Sequence, residues 1–243
     1  MRRVRTRAAH AALARAEEAA RWARIPALAA EVEQALALLY GPFPDVDHVH
    51  GMSFDGAHVW LAVGDRMTSL DPESGKTLRS IDVPAHAGTA FDGKHLFQIS
   101  ESRIHKIDAE TGRVLSSIPA PGGGGDSGLA WAEGTLWVGQ YRERKIHQID
   151  PETGAILRTI ESNRFVTGVT WVDGEMWHGT WEGDESDLRR IDPRTGEVLE
   201  RIEMPRGVAV SGLESESRSP LAPFCWRGAT SHPMRKTMGE HLT

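Results

Sequence analysis

The sequence predicts an all-β fold: a five-bladed β-propeller with an incomplete or divergent fifth blade, behind a short α-helical N-terminal segment. Three observations carry this. Gly51, Gly88, Gly128, Gly168 and Gly212 open similar segments spaced 37, 40, 40 and 44 residues apart, which is the period of four-stranded blades. A tight-turn dipeptide follows each of the first four openings, at 55–56, 92–93, 133–134 and 173–174. Each full unit also closes on an Asp-x-x-x-Gly turn, at Asp71–Gly75, Asp108–Gly112, Asp150–Gly154 and Asp192–Gly196.

Residues 1–40 come first and differ from the rest. They are Ala-rich, and Trp22, Ile25, Leu28, Val32, Leu36 and Leu39 recur at three- and four-residue steps. That is one apolar face of a helix, interrupted near Pro26. Four repeat units follow within residues 41–217. Short alternating runs such as Leu136-Trp137-Val138 and Ile146-His147-Gln148-Ile149 read as half-buried strands. Asp-Gly and Glu-Gly supply the positive φ of a two-residue hairpin. In the closing turns Asp accepts local amide hydrogen bonds and Gly takes the left-handed conformation. Each unit therefore reads as strand, hairpin, strand, loop, strand, turn, strand. The aromatic pairs Phe54/Trp60, Phe91/Phe97, Trp131/Trp137 and Trp171/Trp177 are expected to pack blade on blade. The fifth unit starts at Ser211-Gly212-Leu213 and then loses the pattern. Residues 218–243, with Pro220, Pro223 and Pro233 and no alternation, read as an irregular tail. An incomplete fifth blade leaves open edges, so self-association is expected, eased if the N-terminal helices cover the gap.

Composition narrows the function classes. The chain has 243 residues, 40% of them hydrophobic, enough for a sizeable core. A single cysteine, Cys225, excludes an internal disulfide and a thiolate metal cage. No apolar run reaches the length of a membrane helix. The net charge of −6 conceals an acidic centre: residues 41–217 hold 17 basic against 29 acidic side chains, while both ends are basic. Such a field disfavours phosphate backbones, so neither nucleic acid nor membrane is an expected partner. The absence of an export signal and the lone thiol point to the cytoplasm.

In a propeller the first strand of each blade lines the channel, so chemistry is sought at the starts of those strands. That selects His50, His86 and Asp126 as proton-transfer candidates. His48, Ser127, Thr167 and Ser211 are selected as polar groups for binding substrate. Loops after the second strands add Asp65, Glu101, Tyr141, His178 and Trp181. His58, His95, His105 and His147 fall in turns or on exposed strand faces and are assigned no role. Imidazoles and carboxylates also suit a divalent cation, but no metal motif of fixed spacing is present, so no metal or other cofactor is assigned. Gly122–Gly125 lies between blades and reads as a flexible connection rather than a phosphate loop.

The units Gly-Leu-Ala-Trp…Leu-Trp-Val…Ile-Asp-Pro-Glu-Thr-Gly, with Thr167-Gly-Val-Thr-Trp-Val-Asp-Gly-Glu-Met-Trp-His-Gly-Thr-Trp181, resemble the glutamine cyclotransferase family of five-bladed propellers over residues 45–214. The repeat elements are shared with lactonase-like and quinoprotein-like propellers. The resemblance implies an acyltransferase that cyclises an N-terminal glutamine, with a channel glutamate moving the proton and Trp rings holding the substrate. Trp181 matches a family tryptophan. His48 and His50 stand where the family has Phe and Gln, and Thr167 where it has Asn. Ala87 stands where the catalytic Glu belongs, so proton transfer would fall to His50 or His86. Three functions follow: a cyclotransferase-like enzyme acting on a small molecule or peptide N-terminus, a non-catalytic binding propeller, or a metal-dependent lyase resembling the streptogramin lyases.

Overall fold

The computed structural model describes residues 48–72, 74–172, 174–206, 210–214 and 224–227. The N-terminal helix expected over 1–40 and most of the tail lie outside them. Four sheets of four antiparallel strands account for most of the described residues. The first holds β1 (Gly51–Phe54), β2 (Val59–Ala62), β3 (Met67–Leu70) and β4 (Thr77–Ile81). The second holds β5 (Thr89–Phe91), β6 (His95–Ser100), β7 (Arg103–Asp108) and β8 (Val114–Pro119). The third holds β9 (Asp126–Ala132), β10 (Thr135–Gln140), β11 (Lys145–Ile149) and β12 (Ile156–Glu161). The fourth holds β13 (Phe165–Val172), β14 (Glu175–Glu182), β15 (Glu185–Ile191) and β16 (Val198–Glu203). Each sheet keeps chain order, so one repeat unit is one blade. No helix occurs among the described residues. A final two-stranded sheet pairs β17 (Val210–Glu214) with β18 (Phe224–Arg227). The tail read as irregular thus contains one strand, which the sequence disguises because it lies between prolines and lacks alternation.

The turns form for the reasons their residues suggest. Asp55 Oδ1 accepts the amides of Ala57 and His58 at 2.9 and 2.7 Å, while Gly56 sits at φ 94°. Asp150 Oδ1 accepts both the amide (2.8 Å) and the hydroxyl (2.7 Å) of Thr153. Gly154, at φ 75°, then closes the turn on the Asp150 carbonyl.

The repeat glycines explain how the blades meet. A Cβ built on Gly51 would lie 2.5 Å from the Ala87 carbonyl oxygen; on Gly88, 2.3 Å from the Leu129 nitrogen; on Gly128, 2.5 Å from the Val169 nitrogen. Innermost strands therefore touch backbone to backbone, with no room for any side chain. β1, β5, β9 and β13 follow one another round the axis, and β17 lies against both β13 and β1.

Farther out, aromatic rings join neighbouring blades. Phe97 stacks on Trp131 with centroids 5.4 Å apart, and Trp137 on Trp171 at 6.0 Å. Phe97 and Trp137 are each 1% exposed. Burying one such side chain contributes roughly 1.5–3 kcal/mol, so these rings add to the aliphatic packing that docks the second, third and fourth blades.

Candidate functional site

The glycine ring pinches the channel at its waist. His50, Met52, Thr89, Ser127, Leu129 and Val169, with the glycines, surround a space of about 10 Å³, which holds one water at most. The residues that precede the ring glycines share one side of that ring, and most of the sequence-selected candidates are among them.

His48, His50 and His86 stand there, all exposed. Packing round the His50 ring lowers its pKa below the usual imidazole value, and the nearby charges of His86 and His48 lower it further. At neutral pH His50 is thus a neutral imidazole, able to accept a proton.

Asp126 opens β9 and is only 8% exposed. Burial pushes its pKa up to about 6, against the opposing pull of hydrogen bonds from the Gly122 amide, Gln140 and its own amide. Both carboxyl oxygens lie 3.0 Å from the Gly122 nitrogen. The tetraglycine segment is folded over this carboxyl rather than loose: Gly123 and Gly124 adopt φ 56° and 110°, and the Gly125 carbonyl accepts the Tyr141 amide. At the same register position the next blade has Val166, and β17 has Val210, each 0% exposed. A buried carboxyl thus stands where the next blade and β17 have buried valines, and where the second blade has the exposed His86. A group with pKa near neutrality is suited to exchanging protons with a ligand.

Other candidates are engaged within the fold. β9 and β13 each carry a bulge, at Ser127 and Thr167. The Ser127 hydroxyl lies 3.1 Å from the Gly139 carbonyl and 2.7 Å from that of Val166, so it joins β9 to its own blade and to the next. The Thr167 hydroxyl is buried with no hydrogen-bond partner among the described residues. Ser211 is on β17, and its side chain lies outside the described residues.

His178 was read as following the second strand, but it lies within β14 and is 2% exposed. Burial, then the Arg189 charge, lowers its pKa to about 4, and its Nδ1 has no partner among the described residues. It is a neutral histidine in the interior, away from the mouth. His147 was read as exposed yet is buried, with its Nδ1 2.8 Å from the Thr159 hydroxyl. Trp181 is half-buried at the end of β14, paired in register with Phe165. Phe165 stacks on Tyr141 at 4.8 Å and lies under the Arg144 guanidinium at 4.6 Å. No three His, Cys, Asp or Glu side chains gather as a cation site among the described residues.

Sequence reasoning missed Gln140, which is 5% exposed and pairs with Asp126 across β9 and β10. Its only signal was a glutamine ending an otherwise apolar strand.

Fold and site together define a β-propeller of four-stranded antiparallel blades with a polar channel mouth. Its structure is similar to that of Myxococcus xanthus glutaminyl cyclase, at 17% identity and a TM-score of 0.63, covering 76% of this chain and 88% of that one. Kuenenia stuttgartiensis hydrazine synthase aligns at 17% identity and a TM-score of 0.49, over 69% of this chain and 52% of that one. Residues 100–217 match the family model described as outer membrane protein assembly factor BamB, a quinoprotein-type propeller repeat. No curated protein matches the chain.

Proposed function

We propose that this chain is a glutaminyl-cyclase-like propeller that binds a small molecule or a peptide N-terminus at one channel mouth and moves a proton there through Asp126. The observation that carries this reading is the Asp126 carboxyl, buried where the next blade has valine and held near neutral pKa. In the cyclisation of an N-terminal glutamine, the α-amine attacks the side-chain amide carbon. One proton leaves the amine and one must reach the departing ammonia. A group that ionises near pH 6 serves both transfers, accepting the first proton and returning it. His50, whose imidazole pKa is lowered by burial and by the neighbouring His86 and His48, is the second candidate acceptor. The closed succession of inner strands supports five blades, with β17 and β18 as the inner half of the fifth.

The test is ammonia release from a Gln-initiated peptide by the full-length protein, beside Asp126→Asn and His50→Ala. Turnover lost in Asp126→Asn supports the reading. Tight peptide binding without turnover in the wild type leaves a binding propeller, and absence of both overturns the reading.

A further inference from the structure

Asp126 differs from its counterparts in its partner as well as in itself. In the next blade Val166 pairs with Thr180, whose hydroxyl turns away to donate to Asp187. In the third blade the corresponding pair is Asp126 and Gln140, both buried, and the Gln140 side chain hydrogen-bonds the carboxyl. The Gly122 amide reaches the same carboxyl from the strap. Gly122 itself has no space for a side chain, since a Cβ there would lie 2.6 Å from Asp126 Oδ1. The carboxyl is therefore enclosed by two neutral donors from different elements, one backbone and one side chain. The strap contributes only glycines, β10 contributes Gln140, and no charged side chain among the described residues is a cause of the Asp126 shift.

We propose that Gln140 is a positioning residue: facing Asp126 across β9 and β10, its amide holds that carboxyl in place against the Gly122 amide. This deepens the reading of Asp126 as the proton-transfer group and rests on it. A donor to a carboxylate favours the ionised form. Gln140 thus offsets part of the burial penalty and keeps the acid within the neutral range. Without it a larger fraction of that carboxyl would be protonated at neutral pH, and less of it could act as a base.

The experiment follows the Gly122 amide resonance of the ¹⁵N-labelled full-length protein from about pH 4 to about pH 8, a range spanning free and buried carboxyl pKa values. The proteins are wild type, Gln140→Met, Gln140→Thr and Asp126→Asn. Gln140→Thr installs the residue the fourth blade carries at this position, so it serves if Gln140→Met does not fold. The wild-type midpoint is expected near 6, with no titration in Asp126→Asn. Both Gln140 variants are expected to raise the midpoint by about one pH unit, the scale of one lost charge-assisted hydrogen bond. The corresponding limb of the pH–rate profile should move equally. An unchanged midpoint in the Gln140 variants overturns the proposal whatever the turnover. A raised midpoint in a protein whose wild type lacks turnover supports the Gln140 assignment and overturns the catalytic reading instead.

Discussion

Two buried carboxyls in adjacent blades, Asp126 and Asp187, are shifted in opposite directions. Asp187 is 0% exposed, and burial alone would raise its pKa. Hydrogen bonds from Arg189 and Thr180, with the charges of Arg189 and Arg201, win and hold it below the usual carboxylate range. Arg189 Nε lies 2.7 Å from Oδ1 and Arg201 Nε 2.7 Å from Oδ2, with Arg164 at 3.6 Å. Asp126 has only neutral donors, and burial wins. The difference teaches that burial does not decide protonation; the charge of the hydrogen-bond partners does. Asp187 is a permanent anion locking β15 to β16, whereas Asp126 is a carboxyl whose charge is available to change.

The contrast breaks most visibly at Asp187. Removing one member of a buried ion cluster leaves the rest uncompensated, so Asp187→Ala should cost about 3–5 kcal/mol. Urea unfolding measures it, and a loss below about 1 kcal/mol, the scale of an exposed pair, would show that the three arginines are satisfied by solvent.

The next effect is on acid stability. His178 has a folded pKa near 4 against an unfolded value of about 6.5. The unfolded chain takes up the proton first, so stability falls as pH drops from about 6.5 to about 4, by about 3 kcal/mol in total. His178→Leu removes a titrating group from the core, where Val138 occupies the corresponding site of the third blade. Its stability should decline less over that pH range, as thermal melts across pH will show; parallel pH curves would count against a neutral buried histidine.

Asp126 works in the other direction. Its folded pKa near 6 exceeds the unfolded value of about 3.9. The folded state therefore binds more protons, and the group's contribution is fully present below the unfolded pKa and lost as pH rises through 6. Asp126→Asn should be more stable than wild type above pH 6, by about 1–2 kcal/mol after solvent screening. The advantage should vanish at about pH 4, where the wild-type carboxyl is protonated in the folded state. A gain of equal size at both pH values would mean that ionisation is not its source.

The smallest effect sharpens the comparison. Gly122→Ala places a methyl against the Asp126 carboxyl and should displace the strap, removing its amide. The Asp126 midpoint should then rise by about one pH unit while that of Asp187 stays low, both followed by carboxyl NMR. A parallel movement of Asp187 would show that the two sites are coupled.

Legibility in the sequence followed the range of the interactions. The blade pattern was written locally: Asp55 caps its hairpin two and three residues ahead, and Asp150 its turn with Thr153, so the strand order could be read from spacing. Asp126 was found because its place in the repeat put it at the start of an inner strand. Ser127 was found by the same rule, yet its hydroxyl faces a carbonyl 39 residues away, and no spacing reveals that. His178 was misplaced although the repeat aligns it with Val138, the fourth residue of β10: it is likewise the fourth residue of β14, within the strand and not after it.

The sequence by itself determined the repeat, the hairpins and the closing turns, because each depends on the backbone conformation of a few neighbouring residues. Only the tertiary structure decided what the blade-opening glycines do: they bring inner strands together across blade boundaries. It alone also decided which carboxyl is an anion and which an acid. That choice rests on whether arginines or neutral amides surround it, and the partners of Asp187 and Asp126 are brought together by folding rather than by any local motif.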